Sequence, residues 1–223
     1  MLLTTLRKKA ANNTLEVEHL LAAAKKRVPG LQEELARLSV KHGWSPVTHP
    51  AGGGHVPPFA KWADIAGAYG QHGLDGLAPL AHDADSFSYV LAMLEEVRTA
   101  AAVDALLAWY SDLLRDPARD VAQAVRLAGA CNILLSFKGC PVPTEAQAAT
   151  IRQFLMLVLS LVDSTPARSA AICALRGVGD AATVVVLNAL AELPYPFHTV
   201  RPVAIRAILR RLRASNTALA QPV

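Results

Sequence analysis

Apolar positions recur at helical spacing along most of the chain. Val17, Leu20, Leu21, Ala24 and Val28 form one stripe, and Leu31, Leu35 and Leu38 resume it after Pro29-Gly30, which predicts two helices between about Thr14 and His42. Between Ser45 and Phe59 the pattern stops: Pro46, Pro50, Pro57, Pro58 and the run Gly52–Gly54 read as a loop or linker. Helical spacing returns at Trp62 and predicts helices over 62–69, 74–81, 87–97, 100–115 and 118–137. Asp116-Pro117 reads as an N-cap followed by proline at the first helical position, and Thr165-Pro166 repeats that device. Thr144-x-x-Gln147 is a capping box opening a helix to Val162, with Phe154, Leu157, Val158 and Leu161 on one face. Gly177 to Asp180 ends the next helix and caps another over 181–193, Pro194 and Pro196 stop it, and a last helix spans about Thr199 to Arg213. No strand-type alternation lasts longer than four residues, so the fold class is all-α.

A nine-residue pattern appears twice near the C-terminus. Residues 167–175, Ala-Arg-Ser-Ala-Ala-Ile-Cys-Ala-Leu, align with residues 200–208, Val-Arg-Pro-Val-Ala-Ile-Arg-Ala-Ile, at a spacing of 33. A looser copy (Val125, Arg126, Gly129, Asn132, Ile133) begins 42 residues before the first. Recurrence in this range signals stacked helical pairs, each burying its apolar face against the next. It predicts burial of Ala171, Ala174, Leu175, Ala204, Ala207 and Ile208.

The segment Pro166-Ala-Arg168-x-x-Ala171-x-x-Ala174-Leu175-x-x-Val178-Gly179-Asp180 resembles HEAT and armadillo-type repeats. The resemblance is good over 165–213, fair over 100–137 and weak before 85. It implies a right-handed α-solenoid of HEAT-like helical pairs over 62–223, preceded by an N-terminal helical segment, 1–45, and a Pro/Gly/His-rich loop or linker, 46–61. It also implies that Arg168 and Arg201 are ladder residues, with Asp180 as their partner. Such repeats specify architecture rather than chemistry: a curved stack gripping a protein or, less often, a nucleic acid.

Composition narrows the setting. Of 223 residues 52% are hydrophobic and only 5% aromatic, and the excess is alanine and leucine, good helix formers. Met1-Leu2-Leu3 meets Arg7-Lys8-Lys9 before a secretory h-region can develop, and the apolar stretch 154–162 is far below the roughly 20 residues of a membrane span. Cys131, Cys140 and Cys173 have no metal-type spacing and read as reduced thiols, which points to the cytoplasm. Charge is uneven. Residues 1–61 hold nine Lys or Arg against four acids, 62–200 hold eight against fourteen, and 201–223 hold five arginines and no acid. The acidic middle suits a basic protein partner.

Candidate chemistry is sparse. His42, His49, His55, His72 and His82 cluster around the loop, but none are paired at i, i+4, so a solvated polar loop is expected and no metal. His82-Asp83-Ala84-Asp85 reads as a helix-capping turn rather than a catalytic pair. Gly52–Gly54 lacks the strand, helix and Lys of a phosphate loop, and Glu33-Glu34 and Glu95-Glu96 read as solvated helix faces. No catalytic residue and no cofactor is assigned. Trp109 reads as core, whereas Trp44 and Trp62 flank the loop as candidate partner anchors. Arg206, Arg210 and Arg213 fall at i, i+4 and i+7, opposite Ile205, Ile208, Leu209 and Leu212, and form a candidate contact stripe whose plainer role is a solubilising cap. The expected function is a non-enzymatic protein-binding module: an adaptor, an assembly factor or a toxin-neutralising protein of bacterial immunity type. The alternative is a HEAT-like DNA-binding protein or alkylated-base DNA glycosylase, for which the basic termini leave room.

Overall fold

The structure, a computed structural model, describes residues 2–43, 59–161, 165–191, 193–194 and 196–219, and of 215–219 the backbone only. Among these, every regular element is helical: thirteen α-helices and three short 3₁₀ turns. No helix among them is long and apolar enough to cross a membrane. The loop expected over 46–58 falls outside the described residues.

By contacts the chain divides into two compact units, Met1–Val97 and Arg98–Val223. The sequence points instead to the Pro/Gly loop as the boundary. The difference has a packing cause. Helix α4 (Phe59–His72), which follows the loop, packs against α2 (Val17–Lys25) and α3 (Leu31–His42), which precede it. The buried face of α4 is made of Ala63, Ile65, Ala66, Gly67, Tyr69 and Gly70, and this small-residue surface lets α3 come close. A Cβ on Gly70 would lie 2.8 Å from Leu31 Cδ1's twin methyl, Cδ2. The expected lead-in helix over 62–69 is thus the central helix of its unit. Helix α5 (Leu74–Leu77), a 3₁₀ turn (Ala78–Leu80) and α6 (Phe87–Val97) complete it.

The sequence pattern did not reveal α1 (Leu2–Ala11), whose buried residues are Leu6 and Ala10, one turn apart. A carboxylate holds this helix in place. Glu34 of α3 is only 5% exposed; Arg7 of α1 donates to its Oε2 at 2.7 Å, and Arg37, one turn on, donates to Oε1. The reading of Glu33-Glu34 as a solvated face therefore holds for Glu33 and fails for Glu34. Hydrogen bonds from Arg7, then from Arg37, hold the Glu34 carboxyl at about 2, against an ordinary 4.5.

In the second unit α7 (Ala100–Trp109) and α8 (Ser111–Arg115) are separate helices, broken at Tyr110 where φ and ψ are −110° and 25°. Trp109 is half-buried rather than core. Asp116-Pro117 opens a 3₁₀ turn (Pro117–Arg119), and the cap of α9 (Val121–Leu135) is Asp120, whose Oδ1 accepts from Gln123 N at 3.0 Å. Thr144 and Gln147 make the reciprocal capping box that opens α10 (Glu145–Ser160). Then follow α11 (Thr165–Val178), α12 (Ala181–Ala189), a 3₁₀ turn (Phe197–Thr199) and α13 (Val200–Leu219). Helix α12 stops four residues short of expectation, and α13 runs on past Arg213.

Helices two apart in sequence lie side by side: α9 packs on α11 and α11 on α13, while α10 lies on α11 and α12 on α13. Ala171, Ala174, Leu175, Ala204 and Ile208 are fully buried at these contacts, and Ala207 is half-exposed. The approach is closest at two glycines. A Cβ on Gly177 would lie 2.6 Å from the Leu135 carbonyl oxygen at the end of α9, and one on Gly179 would lie 2.6 Å from Ile208 Cδ1 of α13.

Two outcomes test this packing. Gly177→Ala should destabilise the chain by roughly 1–3 kcal/mol, read from the urea midpoint, because the obstacle is backbone and cannot swing aside. Glu34→Gln should cost roughly 1.5–3 kcal/mol at neutral pH. The Glu34 carboxyl is held below its ordinary value, so its contribution is complete above about pH 4.5 and fades as pH falls toward about 2. Unfolding free energy followed between pH 5 and 2 should therefore fall less steeply in the Gln variant.

Candidate functional site

The C-terminal helix carries its burial on one line and its charge on the other. Ala204 and Ile208, one turn apart, are fully buried beside α11, so Arg206, Arg210 and Arg213 face outward, and all three are exposed. Leu209 is not on the buried side as expected: it sits about 100° round from Ile208 and is 37% exposed, with Val203 at 39%. These residues line an open cleft of about 620 Å³, together with Ala207, Ser136 at the end of α9 and Arg176 of α11.

Arg176 is the arginine that the sequence reading missed. Its Nε donates to the Cys173 carbonyl at 2.9 Å, one terminal nitrogen donates to Asn132 Oδ1 at 2.7 Å, and its guanidinium carbon sits 5.3 Å from the centroid of the exposed Phe137 ring. It is held from two helices and by an aromatic face, and it still lines the cleft. The signal for it is the repeat itself. Continuing the alignment one residue past Leu175 and Ile208 pairs Arg176 with Leu209, and both line the cleft.

Four guanidiniums therefore converge on one concavity, and its described lining residues include no carboxylate. Guanidinium stays protonated at any physiological pH, so the cleft is a permanent concentration of positive charge suited to bidentate contact with oxyanions. The hydroxyl in the lining, that of Ser136, donates to the Cys173 carbonyl at 3.4 Å.

The other singled-out residues lie elsewhere. Asp180 caps α12, its Oδ1 accepting from Thr183 N at 2.7 Å, and its Oδ2 pairs with Arg152 Nε of α10 at 3.1 Å. Arg152, 17% exposed, also donates to the Val178 carbonyl at 2.7 Å and to Glu145 at 2.8 Å, and Arg211 of α13 donates to the Gly179 carbonyl. The partner found for Asp180 is thus an arginine that the ladder reading did not name. Burial pushes the Asp180 carboxyl up, but the Thr183 bonds and the Arg152 charge outweigh it, and the net shift is down. Arg201 donates to the Leu190 carbonyl, and Arg168 is half-buried in α11. Trp62 is half-buried, its ring 4.8 Å from Tyr89 in an edge-to-face contact, and Trp44 lies outside the described residues. Asp83 braces its own turn through Ser86 and reaches Lys61 Nζ at 3.3 Å. Among the described residues no three His, Cys, Asp or Glu side chains gather as a metal site would require.

Comparison with known proteins finds no matching family, no matching curated protein and no matching solved structure.

The Asp180 junction yields a graded prediction. Asp180→Ala removes the cap acceptor and the Arg152 partner together and should cost roughly 1–3 kcal/mol in chemical denaturation. Asp180→Asn keeps an acceptor for Thr183 N and should recover at least about half of that loss. Equal losses in the two variants would mean that the charge alone matters.

Proposed function

We propose that this chain is a non-enzymatic protein-binding module built from HEAT-like helical pairs, and that its repeat face carries the arginine cleft to the partner. The convergence of Arg176, Arg206, Arg210 and Arg213 on one cleft, whose described lining includes no carboxylate, is the observation that carries this reading. The side-by-side packing of α9, α11 and α13, with α10 and α12 against them, supports a right-handed α-solenoid, as does the 33-residue recurrence that gives Arg176 and Leu209 equivalent positions. An adaptor, an assembly factor and an immunity-type neutraliser all use such a face. Three free cysteines support a cytoplasmic setting. The acidic middle suits a basic protein, but its carboxylates are dispersed: Asp180 and Glu145 pair with Arg152, Asp112 with Arg115, and Glu96 with Lys25. The cleft is the more concentrated charge, and it favours an acidic contact surface.

The second reading, a nucleic-acid protein, draws on the same four arginines. A base-flipping glycosylase would want a carboxylate and stacking aromatics in the concavity, and the described lining supplies neither.

Cross-linking in the native host decides between them. The wild-type chain should capture one predominant protein, and the triple variant Arg206→Gln, Arg210→Gln, Arg213→Gln should lose it while keeping its helical circular dichroism. Capture of nucleic acid instead, lost in the same variant, would overturn the protein-binding reading.

A further inference from the structure

We infer that the cleft takes an extended acidic protein segment in which an aliphatic side chain is flanked by carboxylates, with Arg176 as the pre-oriented anchor. The inference rests on the protein-binding reading and specifies the chemistry of the contact.

Three observations converge on it. The first is the mixed lining: the exposed aliphatic side chains of Val203 and Leu209 stand among the arginines, so the cleft offers an apolar floor as well as charge. A phosphodiester backbone has no use for such a floor, whereas a peptide can seat Leu, Ile or Val there and place neighbouring carboxylates on the guanidiniums. The second is reach. Arg206 to Arg213 spans seven residues of helix, about 10 Å at 1.5 Å per residue, which matches the side chains of a few extended residues. A nucleic-acid binder gains affinity by neutralising many phosphates along a long track. The third is the aromatic that Arg176 itself contacts, since the described lining includes none. Arg176 already sits against one face of the Phe137 ring, which leaves a base only the other face for stacking.

Arg176 and the three α13 arginines play different parts. Arg176 is fixed through the Cys173 carbonyl, Asn132 and Phe137, so a carboxylate meets a guanidinium whose orientation is already set. Arg206 and Arg210 of α13 are exposed, and long side chains of this kind can follow the spacing of carboxylates. Charge thus selects acidic segments, and the Val203–Leu209 floor selects those with an aliphatic residue between the acids.

Fluorescence anisotropy on the full chain tests this with four labelled probes: a Glu/Leu peptide, the same peptide with Leu replaced by Ser, the same peptide with Glu replaced by Lys, and a 20-base-pair DNA duplex. The Glu/Leu peptide should bind, and weaken as salt rises. The Ser peptide should bind about fivefold more weakly or worse, and the Lys peptide should not bind. Arg210→Glu, an exposed change that leaves the fold alone, should cut affinity for the Glu/Leu peptide by about tenfold and begin to admit the Lys peptide. Arg176→Lys keeps the charge but loses the fixed fork, and should also weaken the Glu/Leu peptide. Equal binding of the Leu and Ser peptides would remove the apolar floor from the argument and overturn the inference. So would duplex DNA that binds more tightly than any peptide and is lost in Arg210→Glu. If no peptide binds while the cross-linked partner is still lost in the triple Gln variant, the acidic-segment inference fails and the protein-binding reading stands.

Discussion

The second unit depends on how closely α11 can approach its neighbours, and that is set by a line of small residues along its buried face. Ala167, Ala171, Ala174 and Gly177 are all buried and follow one another at helical spacing. At Gly177 the α9 backbone is so near that a single added carbon would meet the Leu135 carbonyl, and at Gly179 the space is already filled by Ile208. Backbone-to-backbone contact leaves no slack, because interiors at crystal-like density cannot absorb an extra methyl group. The position of Arg176 relative to Ser136 and α13, and with it the cleft, follows from that spacing.

The arginines of this unit divide by what faces them. Arg152, Arg201 and Arg211 donate to carbonyls at helix ends, at Val178, Leu190 and Gly179, groups that helix geometry leaves without an internal partner. Their charge is used in closing the turns around α12. The arginines of the cleft meet no carboxylate in its described lining. Net charge over long windows hides this division: the stretch 62–200 is acidic on balance, yet it contributes Arg176 to the arginine cleft.

Much of the fold was legible because helix signals are local. The Thr144–Gln147 box, the Asp180 cap, the Pro29-Gly30 break and the ends of α6 all involve residues within four positions of one another, where side chain and backbone meet without help from the rest of the chain. Errors arose where a distant neighbour decided the outcome. Helix α1 is short and was not read from the sequence; it docks Leu6 and Ala10, with Arg7 reaching Glu34 twenty-seven residues away. Glu34 looks like a surface acid in the sequence and becomes buried because two arginines compensate its charge. The same distinction explains the unit boundary, since proline and glycine density reports only local backbone preference and not which helices close on each other across a loop.

Of the candidate site, the stripe Arg206, Arg210 and Arg213 was visible from the period of 3.6 residues alone, since helical rotation settles which side chains share a face. By itself the sequence determined an all-helical chain, its caps, its small-residue close-approach positions and that basic stripe, each a property of residues near one another in the chain. Only the tertiary structure decided that the stripe borders a cleft, that Arg176 belongs to it, that Leu209 turns toward it rather than away, and that Asp180 takes Arg152. Those outcomes depend on the distance and rotation between helices far apart in the chain, and packing sets such quantities where local preference cannot.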